Sequence, residues 1–313
     1  MTRSRETGDV GYRAYKKNYL INGDMSVWQR GTVGLGPNAY TADRWFQFTG
    51  AVVNREETTA FGGKDYIAEI VGSALSTIGQ AIELKGAGFN LVPAGKSLTF
   101  SGWIFAPVGQ TVQLITVYRD AIESVANQVV DASIASLTVG TGAWQYVTHT
   151  WVSNAVPNPT NNQYTMLLTF SAAGTYYIGK LQIEEGAIAK PFIHTPIGET
   201  LALCQRYYAK TYDQDTAPAT ATAVSALGCP CPVAGWAYAL VAQWSFPVTM
   251  RIVPSVTAYN SAGTPDACNI DAGSAPARIG NTSQQACSVT INNNATAGLN
   301  SFLSCHITAD AEL

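Results

Sequence analysis

From residue 97 onward apolar positions recur mostly at every second residue, the period of a half-buried strand. Segment 97–105 places Leu98, Phe100 and Gly102 on one face, then Trp103 and Phe105 on the other. Segment 112–118 is rich in β-branched and aromatic residues, and 144–152 puts Trp144, Tyr146, Thr148 and Thr150 on a common face. Candidate strands at 164–170 and 175–183 follow, separated by turn-forming runs at 157–162 and 171–174. Residues 18–195 are therefore expected to form an antiparallel sandwich, most simply a jelly roll.

The period then changes. Leu201, Cys204 and Tyr208 recur at helical spacing and Tyr212 continues the stripe. Pro196 and Gly198 punctuate its start, and Glu199 suits the positive end of a helix dipole. A linker helix is predicted over 196–212. Beyond it, apolar runs at 237–247, 252–258, 288–292 and 303–308, with Asn, Ser and Gly between them, predict a smaller C-terminal β-sandwich over 213–313. The fold class is thus all-β. Residues 1–17 are basic, carry Tyr12 and Tyr15, and read as an arm rather than part of a core.

Composition narrows the function classes. Only 12% of the 313 residues are charged while 47% are apolar, which suits sheets with large contacts between subunits. A net charge of -3 gives no electrostatic footprint for DNA or RNA. The N-terminal stretch shows no apolar core of a secretory signal. Residues 216–250 are uncharged and long enough to cross a bilayer, but Gly228, Pro230, Pro232 and Gly235 favour buried β-structure over a transmembrane helix. No membrane insertion is expected. The six cysteines are expected as free, buried thiols, since Cys229 and Cys231 stand one residue apart rather than the two of a zinc or redox motif.

Signatures of catalysis are weak. His149, His194 and His306 form no close metal pair, and no serine nucleophile elbow or dinucleotide loop occurs. A glycan depolymerase needs two carboxylates flanking the bond. Glu184 and Glu185 would point to opposite faces of a strand, Glu56 and Glu57 are likewise adjacent, and Asp213 and Asp215 could share a face in the linker. Sugar binding instead needs aromatic planes and amides or carboxylates around them. Trp103, Tyr118, Trp144 and Tyr146 are the candidate glycan contacts in the first domain, and Trp236, Tyr238 and Tyr259 those in the second, with at least half expected to prove buried.

Three segments carry a resemblance. They are Asn18-Tyr-Leu-Ile-Asn-Gly-Asp-Met-Ser-Val-Trp-Gln-Arg-Gly31 with Tyr40-Thr-Ala-Asp-Arg-Trp45, then Leu181-Gln-Ile-Glu-Glu-Gly-Ala-Ile-Ala-Lys-Pro-Phe192, then Thr200-Leu-Ala-Leu-Cys-Gln-Arg-Tyr-Tyr208 with Phe246-Pro-Val-Thr-Met-Arg-Ile-Val-Pro254. In order and spacing they resemble a family of bacteriophage tail fibre and tail-associated receptor-binding proteins over residues 18–260. The resemblance implies a carbohydrate-binding-module-like jelly roll of the galactose-binding type and assembly as a homotrimer. It also implies a place in the virion and attachment to a host cell-surface glycan. Residues 1–17, with Tyr12 and Tyr15, would join the tail or baseplate, and Leu201, Tyr207 and Tyr208 are candidates for the trimer interface. Packing of the helix on its own domain is an equally physical alternative for Tyr207 and Tyr208. Of the shared residues, Asn22-Gly23 suits a tight turn, and Trp28 and Trp45 suit buried anchors. Arg30 or Arg44 could pair with Asp43 or stack on those rings. No cofactor is expected; modules of this kind sometimes hold a structural calcium, but no dense acidic loop marks a site. The rival readings are a structural tail connector, a depolymerase acting through Asp213 or Asp215, and a cellular carbohydrate-binding module.

Overall fold

The computed structural model describes residues 18–84, 95–120, 128–154, 163–230, 238–271, 273–292 and 301–312. Tyr12, Tyr15 and Trp236 lie outside them, as does the side chain of Tyr238. The chain divides into two compact units, one of residues 18–26 and 33–196, the other of 27–32 and 197–312.

The first unit is an antiparallel jelly-roll sandwich built from β1 (Ala39–Tyr40), β2 (Phe46–Thr58), β3 (Asp65–Glu83), β4 (Ser97–Phe105), β5 (Thr111–Arg119), β6 (Val129–Val139), β7 (Trp144–Val152), β8 (Gln163–Phe170) and β9 (Gly174–Glu185). The long hairpin β2–β3 serves both layers. Residues 68–72 of β3 pair with β9, whereas 76–83 pair with β8. One layer therefore runs β6–β5–β8–β3, and the other β3–β9–β4–β7. Between them lie Leu98, Phe100 and Ile104 of β4, Ile70 of β3, Tyr176 and Ile178 of β9, and Met166, Leu168 and Phe170 of β8, all fully buried. Each such side chain contributes about 1.5–3 kcal/mol by leaving water.

Tyr118 belongs to this core. It is fully buried, meets the Tyr164 ring at 5.0 Å and donates its hydroxyl to the Asn154 carbonyl, so it is not a surface contact for glycan. Burial, then the nearby Asp131 charge, pushes the Tyr118 hydroxyl up to about 12. Asp131 accepts from Tyr164 Oη (2.6 Å), Trp151 Nε1 (3.1 Å) and the Asn154 backbone (2.7 Å), which gives buried polar atoms their partners.

The first two shared segments fasten this sandwich. Asn18 bonds to the backbone of Leu181 and Ile183, and the Gly23 carbonyl accepts the Leu181 N–H at 2.8 Å. Asn22 takes the left-handed conformation (φ 56°), while Gly23 is required for its size, because a Cβ there would collide with the Leu181 carbonyl oxygen. Trp45 is fully buried and donates to the Asn22 carbonyl; Arg44 is buried too and donates to the Ala81 carbonyl.

The second unit contains α1 (Ile197–Gln205), β10 (Tyr208–Lys210), β11 (Leu227–Pro230), β12 (Tyr238–Ser245), β13 (Ser255–Tyr259), β14 (Ala267–Ile270), β15 (Gly273–Gly280), β16 (Ala286–Asn292) and β17 (Phe302–Asp310). It is one curled antiparallel sheet, and β17 is its hub, pairing with β10, β11, β13 and β14. Val241, Met250, Val289, Ile291, Leu303 and Ile307 fill its core. The predicted helix over 196–212 is corrected: it ends at Gln205, and Tyr208–Lys210 is a strand facing 308–310. Ladder bonds to β17 outweigh the weak helical stripe. Tyr207 and Tyr208 are corrected as interface candidates as well, since both are buried within this unit, while Leu201 is half-buried.

Residues 27–32 belong to this unit although they precede most of the first. Trp28 is buried, and Gln29 Nε2 donates to the Tyr208 carbonyl at 2.8 Å. Arg30 lies over the Tyr208 ring at 3.7 Å and pairs with Asp310 (3.1 Å) and Glu312 (3.3 Å). Lys210, also buried, donates to the carbonyls of Gln29, Gln214 and Thr216. Cys204, Cys268, Cys287 and Cys305 are buried free thiols, whereas Cys229 is half-buried. Among the described residues no helix is long and apolar enough to cross a membrane, and no group of three or more His, Cys, Asp or Glu converges on a metal position.

Candidate functional site

Strand alternation sends every second residue of the β3–β9–β4–β7 layer away from the core, and register decides which of these outward side chains become neighbours. Asn54 of β2 stands opposite Glu69 of β3, Glu69 opposite Tyr177 of β9, Tyr177 opposite Phe105 of β4, and Phe105 opposite Trp144 of β7. One row thus crosses five strands, changing from polar to aromatic along its length. A second row sets Gly179 opposite Trp103, and Trp103 opposite Tyr146.

The aromatic half is continuous. Ring centroids lie 5.4 Å apart for Phe105 and Tyr177, 6.2 Å for Trp144 and Tyr177, and 5.4 Å for Trp103 and Tyr146. Phe61, on the loop between β2 and β3, folds over the face and joins the rows, 5.2 Å from Trp103 and 4.9 Å from Trp144. Gly179 leaves room for it: a Cβ there would sit 3.0 Å from Ile67 and 3.5 Å from Phe61. Beside Phe61 an open cleft of about 410 Å³ remains, with Phe105, Trp144 and Tyr177 on one side, Glu56, Glu57, Thr58 and Glu69 on the other, and Ile67 also lining it.

The polar half is held in place by hydrogen bonds. Glu69 accepts from the Tyr177 hydroxyl at 3.1 Å and from Asn54 Nδ2 at 2.8 Å. Burial raises the Tyr177 pKa, and the hydrogen bond to Glu69 with the charges of Glu69 and Glu56 adds to the rise. Lys180 pairs with Asp65 at 3.1 Å and lies 4.9 Å from the Phe61 ring; Lys64 pairs with Glu57 at 2.7 Å. The arrangement offers flat apolar surfaces and fixed acceptors across a cleft, which suits a ligand with apolar faces and hydroxyl edges.

Of the candidate glycan contacts, Trp103, Trp144 and Tyr146 come together here, with Tyr146 the most open at 45% exposure. Tyr118 does not join them. Tyr259 is half-buried in the second unit, edge-on to Tyr212 at 6.2 Å. Phe61, Tyr177 and Glu69 were not anticipated as site residues; Glu56 was weighed only with Glu57 as a carboxylate pair, and register carries it to the aromatics. Asp213 and Asp215 are exposed in the turn after β10, and Asp213 accepts from the Ser225 hydroxyl at 2.7 Å. Glu184 is buried and Glu185 exposed, so these two diverge.

No protein-family model matches the sequence, and no curated protein matches it. Solved structures that resemble part of the chain include the enzymatically active domain of bacteriophage CBA120 tailspike protein 4, at 13% identity and a TM-score of 0.35 over 54% of this chain and 21% of that one. A CBM4 module aligns at 15% identity and a TM-score of 0.34 over 53% of this chain and 98% of its own. TmCBM61, solved with β-1,4-galactotriose, aligns at 13% identity and a TM-score of 0.33 over 55% of this chain and 100% of its own. The chain spans about a fifth of the tailspike chain's length. At such scores and identities the likeness carries no functional weight.

Proposed function

We propose that the first unit binds glycan in this cleft without altering it, and that the chain is a homotrimeric bacteriophage tail fibre protein that attaches the virion to the host cell surface. The observation that carries glycan binding is the single outward face on which Tyr177, Phe105 and Trp144 continue into Glu69 and Asn54. Aromatic planes would stack on the apolar face of a sugar ring, and the carboxylates would accept its hydroxyls. The ordered segments of residues 18–260 support the phage role, with residues 1–17 as the tail-joining arm. Three copies would raise the effective strength of weak individual sites.

The test is titration of the purified protein against a panel of bacterial surface polysaccharides, with Trp144→Ala beside it and solution mass measured on the same sample. Binding that falls about tenfold or more in Trp144→Ala, by a trimer, supports the proposal. A protein that binds no member of the panel while still joining the tail would be a structural connector. The carboxylates in the cleft favour one further reading, a glycan hydrolase. Both oxygens of Glu69 are engaged by Tyr177 and Asn54, which makes it a fixed acceptor rather than a proton donor. Release of reducing ends that Glu56→Gln or Glu69→Gln abolishes would establish the hydrolase instead.

A further inference from the structure

Charge is distributed unevenly around the cleft. Among the described residues, Lys64 and Lys180 near the cleft are each matched to a rim or neighbouring carboxylate, Lys64 to Glu57 and Lys180 to Asp65. Glu69 is held by two uncharged donors, a phenol and an amide, so its charge is fixed in position without being cancelled. Glu56 is exposed and has no ion pair among the described residues. Arg55, the adjacent residue of β2, is turned to the Tyr66 ring at 4.9 Å, as strand alternation requires. Two carboxylates, Glu56 and Glu69, therefore face the cleft with no ion pair among the described residues, beside the electron-rich faces of Trp144, Phe105 and Tyr177.

We infer that the cleft selects glycans built of uncharged or amine-bearing sugars and rejects those bearing carboxylate or phosphate groups, an inference that rests on the glycan-binding reading above. An anionic sugar seated on the aromatic wall comes within the field of Glu56 and Glu69, where like charges are repelled more strongly than in open water. A neutral sugar offers hydroxyl donors to the same carboxylates. An ammonium group gains their attraction and that of the ring faces.

The experiment is an array of oligosaccharides in which neutral, amine-bearing, uronate-bearing and phosphate-bearing members share common backbones. It is probed at low and high salt with the wild-type protein, Glu56→Gln and Trp144→Ala, each variant checked by thermal melting. Acidic members should bind at least about tenfold more weakly than their neutral counterparts. That ratio should narrow in Glu56→Gln and at high salt. Acidic members bound as well as neutral ones, or a ratio untouched by Glu56→Gln, overturn the selectivity while leaving glycan binding in place. No hit in any class, or hits indifferent to Trp144→Ala, remove the glycan-binding reading of the cleft and the inference with it.

Discussion

A methyl group at position 23 has nowhere to go, because the chain there runs against the Leu181 carbonyl while giving its own carbonyl to the Leu181 N–H. Gly23→Ala is expected to cost about 2–3 kcal/mol, read as a drop of several degrees in the first unit's thermal transition. In the second unit the sensitive side chain is His306. It is fully buried, its ring lies flat on Tyr212 at 3.8 Å, and Nε2 donates to the Thr222 carbonyl at 3.1 Å. Burial lowers its pKa from 6.5, with the Thr222 carbonyl and the Asp213 charge pulling the other way. A base with a lowered folded pKa binds its proton more readily when unfolded. The stability that depends on neutral His306 is therefore complete above about pH 6.5 and is lost as pH falls through that value toward the folded pKa. Melting curves of the wild type and His306→Gln across that range should converge at the acidic end if this imidazole is responsible.

Strand β17 concentrates the second unit's pairing, since β10, β11, β13 and β14 all bond to it. Removing 302–312 should abolish the second unit's cooperative transition by calorimetry while the first unit's transition persists. Which strands could be read in advance follows from their chemistry. β4 and β7 occupy the predicted bounds because aromatic and β-branched residues are dense in them, while only the register between the two strands brings Trp103 beside Tyr146. β3 escaped because Gly72, Ser73, Ala74 and Ser76 blur its period where it passes from one layer to the other. Tyr118 was misjudged because Val117, Tyr118 and Arg119 are all buried, so no period marks its face. Glu69 escaped for another reason: it meets Tyr177 through a register between strands more than a hundred residues apart, which local pattern does not encode.

At the scale of the molecule, the outlying strap of residues 27–32 is built into the second unit, where Trp28 is buried and Arg30 meets Tyr208, Asp310 and Glu312. A fragment of residues 197–313 should therefore melt well below the second unit of the intact chain, by about ten degrees or more, given the cost of losing a large buried aromatic and a partly buried ion pair. A fragment as stable as the parent unit would show that the strap contributes nothing. The strap also bears on biosynthesis. It leaves the ribosome about 165 residues before the second unit resumes at Ile197, a wait on the order of ten seconds or more at ordinary elongation rates. Throughout that interval Tyr208, Asp310 and Glu312, which hold Arg30, are not yet made, so the final act of folding belongs to the first part of the chain as much as to the last.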